Sequence, residues 1–316
     1  MQWDQRVGRR LKLHDLHVFM MVAELGSMGK AAKRLAISQP SISKAVADLE
    51  HVVGVRLLDR TPKGVETTAY GRALLRRGLG AFDELRQGVR DLAALADPTI
   101  GEIRVGAPEA IAAGLLPTAI DQFSRRYPRV AVNVQAADNM APEFRPLRDR
   151  DVDFLLGRLV PLPPVGDLDA DPLYEDRLFV ACSKASPWAH KRRIVLADLE
   201  KEAWLLFPPA SWIGGQTAAA FAAQGLGLPK SVVTAFSVHF SINLLATGRF
   251  VTVLSGSVLH FNAARFGLQR LAIDFPAAEW SVGLVTLKNR SMSNAAQNLM
   301  RELKSEAAKF VKARHS

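Results

Sequence analysis

The stretch SMGKAAKRLAISQPSISKAVADL, residues 27–49, sets two helical patterns end to end with almost no chain between them. Few folds accept such a junction. Ser27 is a good N-cap, and Ala31, Ala32 and Leu35 then form one apolar face. Ala36-Ile37 leaves room only for a very short turn. Ser38 caps the next helix, with Pro40 in its first turn, where a missing N–H does little harm. Ile42, Val46 and Leu49 step by four and three, so they face inward. Gln39, Ser41, Ser43 and Lys44 are left on the outward, N-terminal part. Upstream, Leu16, Phe19, Met20 and Ala23 recur at helical spacing, and Gly26 ends that helix.

The arrangement reads as a helix-turn-helix. Small residues in the first helix of the pair let the second cross it closely. That second helix can enter a major groove about 12 Å wide, N-terminal residues first. Gln39 and Lys44 then suit base edges, amide to adenine and ammonium to guanine, on a helix begun by Ser38 and Pro40. Ser41 and Ser43 suit phosphates or base edges, and Lys30, Lys33 and Arg34 suit phosphates. The same pattern also fits a plain three-helix bundle with solvated polar faces. The next segment, GVRLLDRTPKGVETT, favours the first reading. Val55, Leu57 and Leu58 read as a strand, Pro62-Lys63-Gly64 as a turn, and Val65 to Thr67 as a return strand. This is a β-wing with Arg60 and Lys63 near its tip, within reach of a sugar-phosphate backbone. Arg60 can instead pair with Asp59 or Glu66.

Charge agrees with a polyanion partner. The net charge is +10, and residues 1–80 hold 14 Lys and Arg against 7 Asp and Glu. Most of the excess therefore sits in the first quarter, where released counterions would supply affinity for DNA.

From Leu16 through Gly71 the chain resembles the LysR-type transcriptional regulators, through AAKRLAISQPSISKAVADLE, GVRLLDRT and the helix start Thr68–Gly71. The resemblance assigns Gln39, Pro40, Ser41, Ser43 and Lys44 to the DNA-facing helix. Gly29 departs from it, because the family commonly carries Ser or Thr there. Residues 69–96 form one long helical pattern, and Leu75, Phe82, Leu85, Val89 and Leu92 make an apolar seam broken by Gly78. The seam must be covered, by the same helix of a second subunit, as the resemblance suggests, or by its own chain. Asp97-Pro98 ends the helix and supplies a hinge.

From residue 101 strands and helices alternate, arguing a mainly parallel α/β sheet. The segment LYEDRLFVACS reads as one strand after the Pro-rich PLPPVGDLDADP. Crossovers near 160–172 and 272–279 suggest two lobes. Through GLLPTAIDQFSRRYP, DFLLGRL and PLYEDRLFVA this region resembles the periplasmic-binding-protein-like effector domain of the same family, and GRL followed by prolines, with WLLFPPASW later, resembles the branch that includes regulators of aromatic-acid and sugar uptake or breakdown. The expected organisation is a winged helix-turn-helix over 1–68, a dimerisation helix and hinge over 69–98, and an effector domain over 99–316. Its lobes would span about 99–160 plus 279–316, and about 172–272.

Ligands of such sheets sit beyond the carboxyl ends of strands. That nominates Pro108, Glu109, Ala110, Gly157, Arg158, Pro209, Ser211, Trp212, Ser237, His239, Phe240 and Ser255. Helix N-termini and Ser side chains favour an anion such as a carboxylate, while Glu109 argues for turning aside or for a sugar-like effector. Each of these positions also fits ordinary loop structure. The resemblance implies homodimers that pair into tetramers, an operator duplex, a small-molecule effector and RNA polymerase as partners.

Catalysis finds no support. The seven histidines form no HExxH, no GxxxxGK[ST] occurs, and GAPEAIAAG lacks dinucleotide spacing. The single cysteine, Cys182, lies in an apolar strand and excludes a disulfide framework or a multi-cysteine zinc site. No cofactor and no metal is expected. The start carries no apolar signal segment and no run of about 18 apolar residues occurs, so a cytoplasmic protein without membrane spans is expected. Two other readings stay open: an α/β enzyme with a basic dimerisation head, and a DNA-binding regulator that responds to no effector.

Overall fold

The computed structural model describes residues 8–61, 64–97, 100–137, 144–159, 166–230 and 233–315. The chain forms two compact units, Met1–Val89 and Arg90–Ser316. The division falls inside the long helix rather than at residue 68 or 98, because the first turns of that helix pack with the N-terminal core.

The first unit runs α1 (Gly8–Arg10), α2 (Leu13–Leu25), α3 (Met28–Leu35), α4 (Gln39–Val53), β1 (Leu58–Thr61), β2 (Gly64–Thr67) and the start of α5 (Ala69–Ala96). Gly26 closes α2 in the left-handed region at φ 61°. Ser27 Oγ accepts from the Lys30 amide, and Ser38 Oγ from the Ser41 amide, so each helix opens on its own cap. Between them Ala36 takes φ 54°, a conformation that costs a residue with a Cβ about 1 kcal/mol. That strained residue turns the chain in the space the sequence allows. Phe19, Val22, Ala31, Ile42, Val46 and Leu49 bury the resulting faces together.

The wing is anchored to these helices by polar contacts. Glu50 Oε1 accepts from the amides of Leu57 and Leu58 at 2.6 and 3.1 Å, and Leu57 itself is buried. The strand therefore begins at Leu58 rather than at Val55. The Val65 amide donates to the Gly26 carbonyl at 2.9 Å. Gly71, at the start of α5, lies so close to the chain at Leu57 that a Cβ would sit 2.1 Å from its carbonyl oxygen.

The second unit contains two five-stranded sheets. One has the order β4 (Val130–Ala136), β3 (Gly101–Ala107), β5 (Phe154–Arg158), β12 (Trp280–Leu287), β6 (Leu168–Asp176). The other has β11 (Leu268–Arg270), β7 (Leu178–Ser183), β10 (Phe250–Ser255), β8 (Ala203–Leu206), β9 (Val233–Thr234). Helices α6 (Glu109–Ala112), α7 (Leu115–Arg126), α8 (Arg145–Arg148) and α12 (Asn294–His315) belong with the first sheet. Helices α9 (Trp212–Ala223), α10 (Val238–Ala246) and α11 (Gly256–Phe266) belong with the second. Phe123, Leu299, Leu303 and Phe310 fill the first core, and Trp204, Phe221 and Val251 the second.

One expectation is refined here and one is corrected. In each sheet four strands run the same way, as expected, and one runs against them. β3 runs parallel to β4 and β5, but β12 is antiparallel to both β5 and β6, and β7 is antiparallel to β10 and β11. The reversal comes from the strands that follow the lobe crossings. The first crossing is also displaced. LYEDRLFVACS is two strands of two different sheets, and the chain changes lobes at Asp176–Leu178, not at 160–172. No Gly or Pro punctuates Glu175-Asp176-Arg177, so no turn residue marks the crossing. Pro172, which looked like part of the connection, lies within edge strand β6, beside the register shift between Val282 and Gly283 of β12. The second core ends with Leu271, Ile273 and Phe275, and the chain re-enters the first sheet at Trp280.

Candidate nucleic-acid interface and interlobe cavity

The first turn of α4 stands out from the core that carries it. Ile42, Ala45, Val46 and Leu49 are buried, while Ser38, Gln39, Pro40, Ser41 and Lys44 are exposed. Lys30, Lys33 and Arg34 on α3 are exposed as well. Ser38 and Ser41 bond each other through their hydroxyl oxygens at 2.8 Å, which steadies the turn without closing it to a partner. Ser43 differs. It is half-buried, and its hydroxyl points to Met28 Sδ at 3.9 Å, so it fastens α4 to α3 rather than facing outward. A Cβ at Gly29 would meet the Gln39 Oε1 atom at 3.7 Å, ordinary contact. The lack of a side chain there leaves Gln39 room to move. On the wing, the side chain of Arg60 and all of Lys63 lie outside the described residues.

The seam of α5 divides along its length. Gly78 lets α5 approach α2 so closely that a Cβ would be 3.1 Å from Met20 Sδ. Phe82 meets His17 with ring centroids 5.5 Å apart, and Leu75 packs against the same core. These two residues are partly buried against their own chain, so only part of each side chain is left for a second subunit. Leu85, Val89 and Leu92 remain 48, 67 and 68% exposed. At its far end Asp97 accepts from Arg129 at 2.8 Å, and Pro98 lies outside the described residues.

In the second unit a cavity of about 580 Å³ lies between the two lobes. Pro108, Glu109, Ala110, Arg158, Ser211, Trp212 and Ser255 line it. Gly157 does not. It lies within β5 opposite Gly283, its backbone committed to the sheet. Ser237, His239 and Phe240 stand on the first turn of α10 outside the lining, with His239 and Phe240 exposed. Residues that the sequence reading missed complete the wall, among them Asp176, Trp280, Phe207, Phe236 and Ala137. Asp176 was hidden inside a segment read as one strand. Ala137 follows β4, so the rule about carboxyl ends of strands would have found it.

The wall has a stacked centre. The Arg158 guanidinium lies 3.7 Å above the Trp212 ring, and Trp212 meets Trp280 edge to face at 4.5 Å. Trp280 Nε1 is buried without a hydrogen-bond partner among the described residues.

The serines are already engaged. Ser211 Oγ donates to the Pro208 carbonyl at 2.6 Å and accepts from the Gly214 amide at 3.1 Å. Ser237 Oγ donates to Glu109 Oε1 at 2.8 Å and accepts from the Phe240 amide. Ser255 Oγ accepts from the Val258 amide and lies 3.2 Å from Ser257 Oγ, which donates to Asp176 Oδ2 at 2.6 Å. A hydroxyl carries one proton. Each of these is spent inside the protein, contrary to the expectation that serines would donate to a bound anion. Asp176 is 2% exposed, and burial pushes its carboxyl above the ordinary range despite its bonds to Ser257 and the Arg177 amide.

Cys182 is fully buried, and burial pushes its thiol up to about 11, which leaves it unreactive at neutral pH. Among the described residues no cluster of His, Cys, Asp and Glu could hold a metal ion, and no helix is long and apolar enough to cross a membrane.

Comparison with known proteins matches both parts of the chain. Residues 13–72 match the family described as bacterial regulatory helix-turn-helix protein, lysR family. Residues 96–308 match the LysR substrate binding domain. The HTH-type transcriptional regulator GalR of Pseudomonas putida is 31% identical over 287 residues, covering 90% of this chain and 71% of that protein. The HTH-type transcriptional regulator GbpR of Azospirillum brasilense is 27% identical, covering 93% of this chain and 86% of that protein. Among solved structures, CbnR complexed with its target DNA is 21% identical with a TM-score of 0.59, covering 94% of this chain and all of that one. A full-length OxyR from Pseudomonas aeruginosa is 21% identical with a TM-score of 0.61, covering 94% of each chain.

Proposed function

The chain belongs to the LysR family of DNA-binding transcriptional regulators with an effector-binding domain, and from that premise we propose which of its residues perform each task. The first turn of α4 reads DNA. Gln39 and Lys44 contact base edges, Ser38, Pro40 and Ser41 shape and present the turn, and Lys30, Lys33 and Arg34 hold phosphates. Arg60 and Lys63 on the wing add backbone contacts. Ser43 is a secondary contact at most, given its bond to Met28. Exposed Leu85, Val89 and Leu92 pair two subunits, which a two-fold operator needs. Dimers associate further into tetramers, and RNA polymerase is the machinery they address in the cytoplasm.

The observation that carries this reading is the contrast on α4 itself: a buried apolar face, and an exposed first turn bearing Gln39, Ser41 and Lys44. A genomic footprint of the full chain tests it. The expected result is a set of discrete duplexes bound in preference to random DNA, with affinity falling steeply as salt rises. Equal binding of all duplexes at low ionic strength contradicts it.

The interlobe cavity takes the effector. It is mostly apolar, of ligand size, and closed on one side by the Arg158–Trp212–Trp280 stack. With the serine protons spent, an acid group on the effector would meet Arg158 and backbone amides instead. A metabolite screen by thermal shift, followed by Trp212→Ala, tests this. The substitution should weaken the hit about two- to tenfold, since an aromatic contact is worth about 0.5–1.5 kcal/mol. An unchanged affinity removes the stack from the site.

A further inference from the structure

Helix α6 is only four residues long, yet it is held at both ends by the opposite lobe. At its start, Glu109 Oε1 accepts from Ser237 Oγ at 2.8 Å and from the His239 amide at 3.4 Å. Just past its end, the Ala113 carbonyl accepts from Asn262 Nδ2 of α11 at 2.8 Å. Glu109 thus seats a negative charge on the N-terminus of α10, where the helix dipole favours it.

A second carboxylate does the same for α11. Asp176 accepts from the hydroxyl and amide of Ser257. The two differ in access. Asp176 is buried at the lobe crossing, whereas Glu109 is exposed and also lines the cavity. One contact is a fixture of the fold, and the other can be made and broken beside a bound molecule.

We propose that Glu109 is an interlobe latch whose carboxylate, by occupying the start of α10, sets how far the two lobes open in the effector-free protein. The latch does not require that the cavity be the effector site, but its regulatory use rests on that reading. Effector entering beside Glu109 acts against the contact, and its release frees the lobe carrying α10 from the lobe carrying α6.

Hydrogen exchange of the full-length chain without effector tests the latch apart from ligand binding. Glu109→Ala should speed exchange about three- to tenfold in the first turn of α10. It should also speed exchange in the segments around Ala113 and Asn262, because opening the lobes strains their second tie. Glu109→Gln, which keeps an acceptor but no charge, should fall between wild type and Glu109→Ala. Ser237→Ala approaches the same contact from the other lobe and should reproduce the pattern. Around Ala113 and Asn262, away from the cap that Ser237 also gives the Phe240 amide, the double variant should add nothing to either single change. Acceleration confined to α10 would reduce Glu109 to a local helix cap and overturn the latch, as would additive effects of the two substitutions around Ala113 and Asn262. If the cavity binds no effector while these patterns hold, the latch stands and the effector site must be sought elsewhere.

Discussion

The two units use one local device for opposite ends. In both, helices open on a serine that accepts from an amide three residues on: Ser38 in the first unit, Ser211, Ser237 and Ser255 in the second. Ser38 opens a helix whose first turn is bare, so its neighbours Gln39, Ser41 and Lys44 meet whatever approaches. The other three lie at or beside the interlobe cavity, and their protons are taken by a carbonyl, a carboxylate or another hydroxyl. A capping serine therefore does not mark a binding group. What surrounds the cap decides whether the helix start is offered outward or used to hold the protein together.

The largest expected effect separates the units by stability. Gly71→Ala would drive a Cβ against the Leu57 carbonyl. It should destabilise the winged-helix unit by about 3 kcal/mol or more and leave melting of the α/β unit unchanged, as seen by calorimetry. A single shifted transition for the whole chain would break the division. Next comes the seam. Leu85→Glu with Val89→Glu should weaken subunit pairing by at least about 100-fold in sedimentation, since two exposed apolar contacts would become charges. Phe82→Ala should instead destabilise the winged-helix core, because Phe82 packs on its own chain. If Phe82→Ala alone dissociates subunits without loss of stability, the seam is not divided as described.

The smallest effect concerns Asp176. Its pKa is raised in the folded chain, so the native state binds the extra proton. Its contribution to stability is present at low pH and is lost as pH rises from about 4, the ordinary carboxylate value, through the raised one. Denaturant titrations should show that decline in wild type. Asp176→Asn should flatten it at a cost of about 1 kcal/mol or less. An unaltered pH profile would contradict the assignment to this carboxyl.

Much of the first unit was legible in the sequence because its signals are local. Caps, a short turn and apolar steps of three and four fix α2 to α4 within 40 residues. The second unit was legible as strands and helices but not as sheets. Tyr174 to Phe179 carries no Gly or Pro at the change of lobe, and nothing local reports that β6 pairs with β12, more than 100 residues away. The cavity suffered from the same limit. Residues at or just past the carboxyl ends of strands, such as Pro108, Arg158 and Ser255, were found by rule. Asp176 and Trp280 owe their place to the crossings themselves. Side-chain commitments, including Ser43 on Met28 and Glu109 on Ser237, depend on distances that no spacing rule supplies.

The measurement that reaches the centre of this account is the specificity ratio of Gln39→Ala, cognate operator against random duplex, over a range of salt. The account predicts a loss of about 1–3 kcal/mol confined to one base position, with random-duplex affinity and salt slope unchanged. An equal loss on both duplexes, or no loss on either, would mean that the exposed start of α4 does not read sequence.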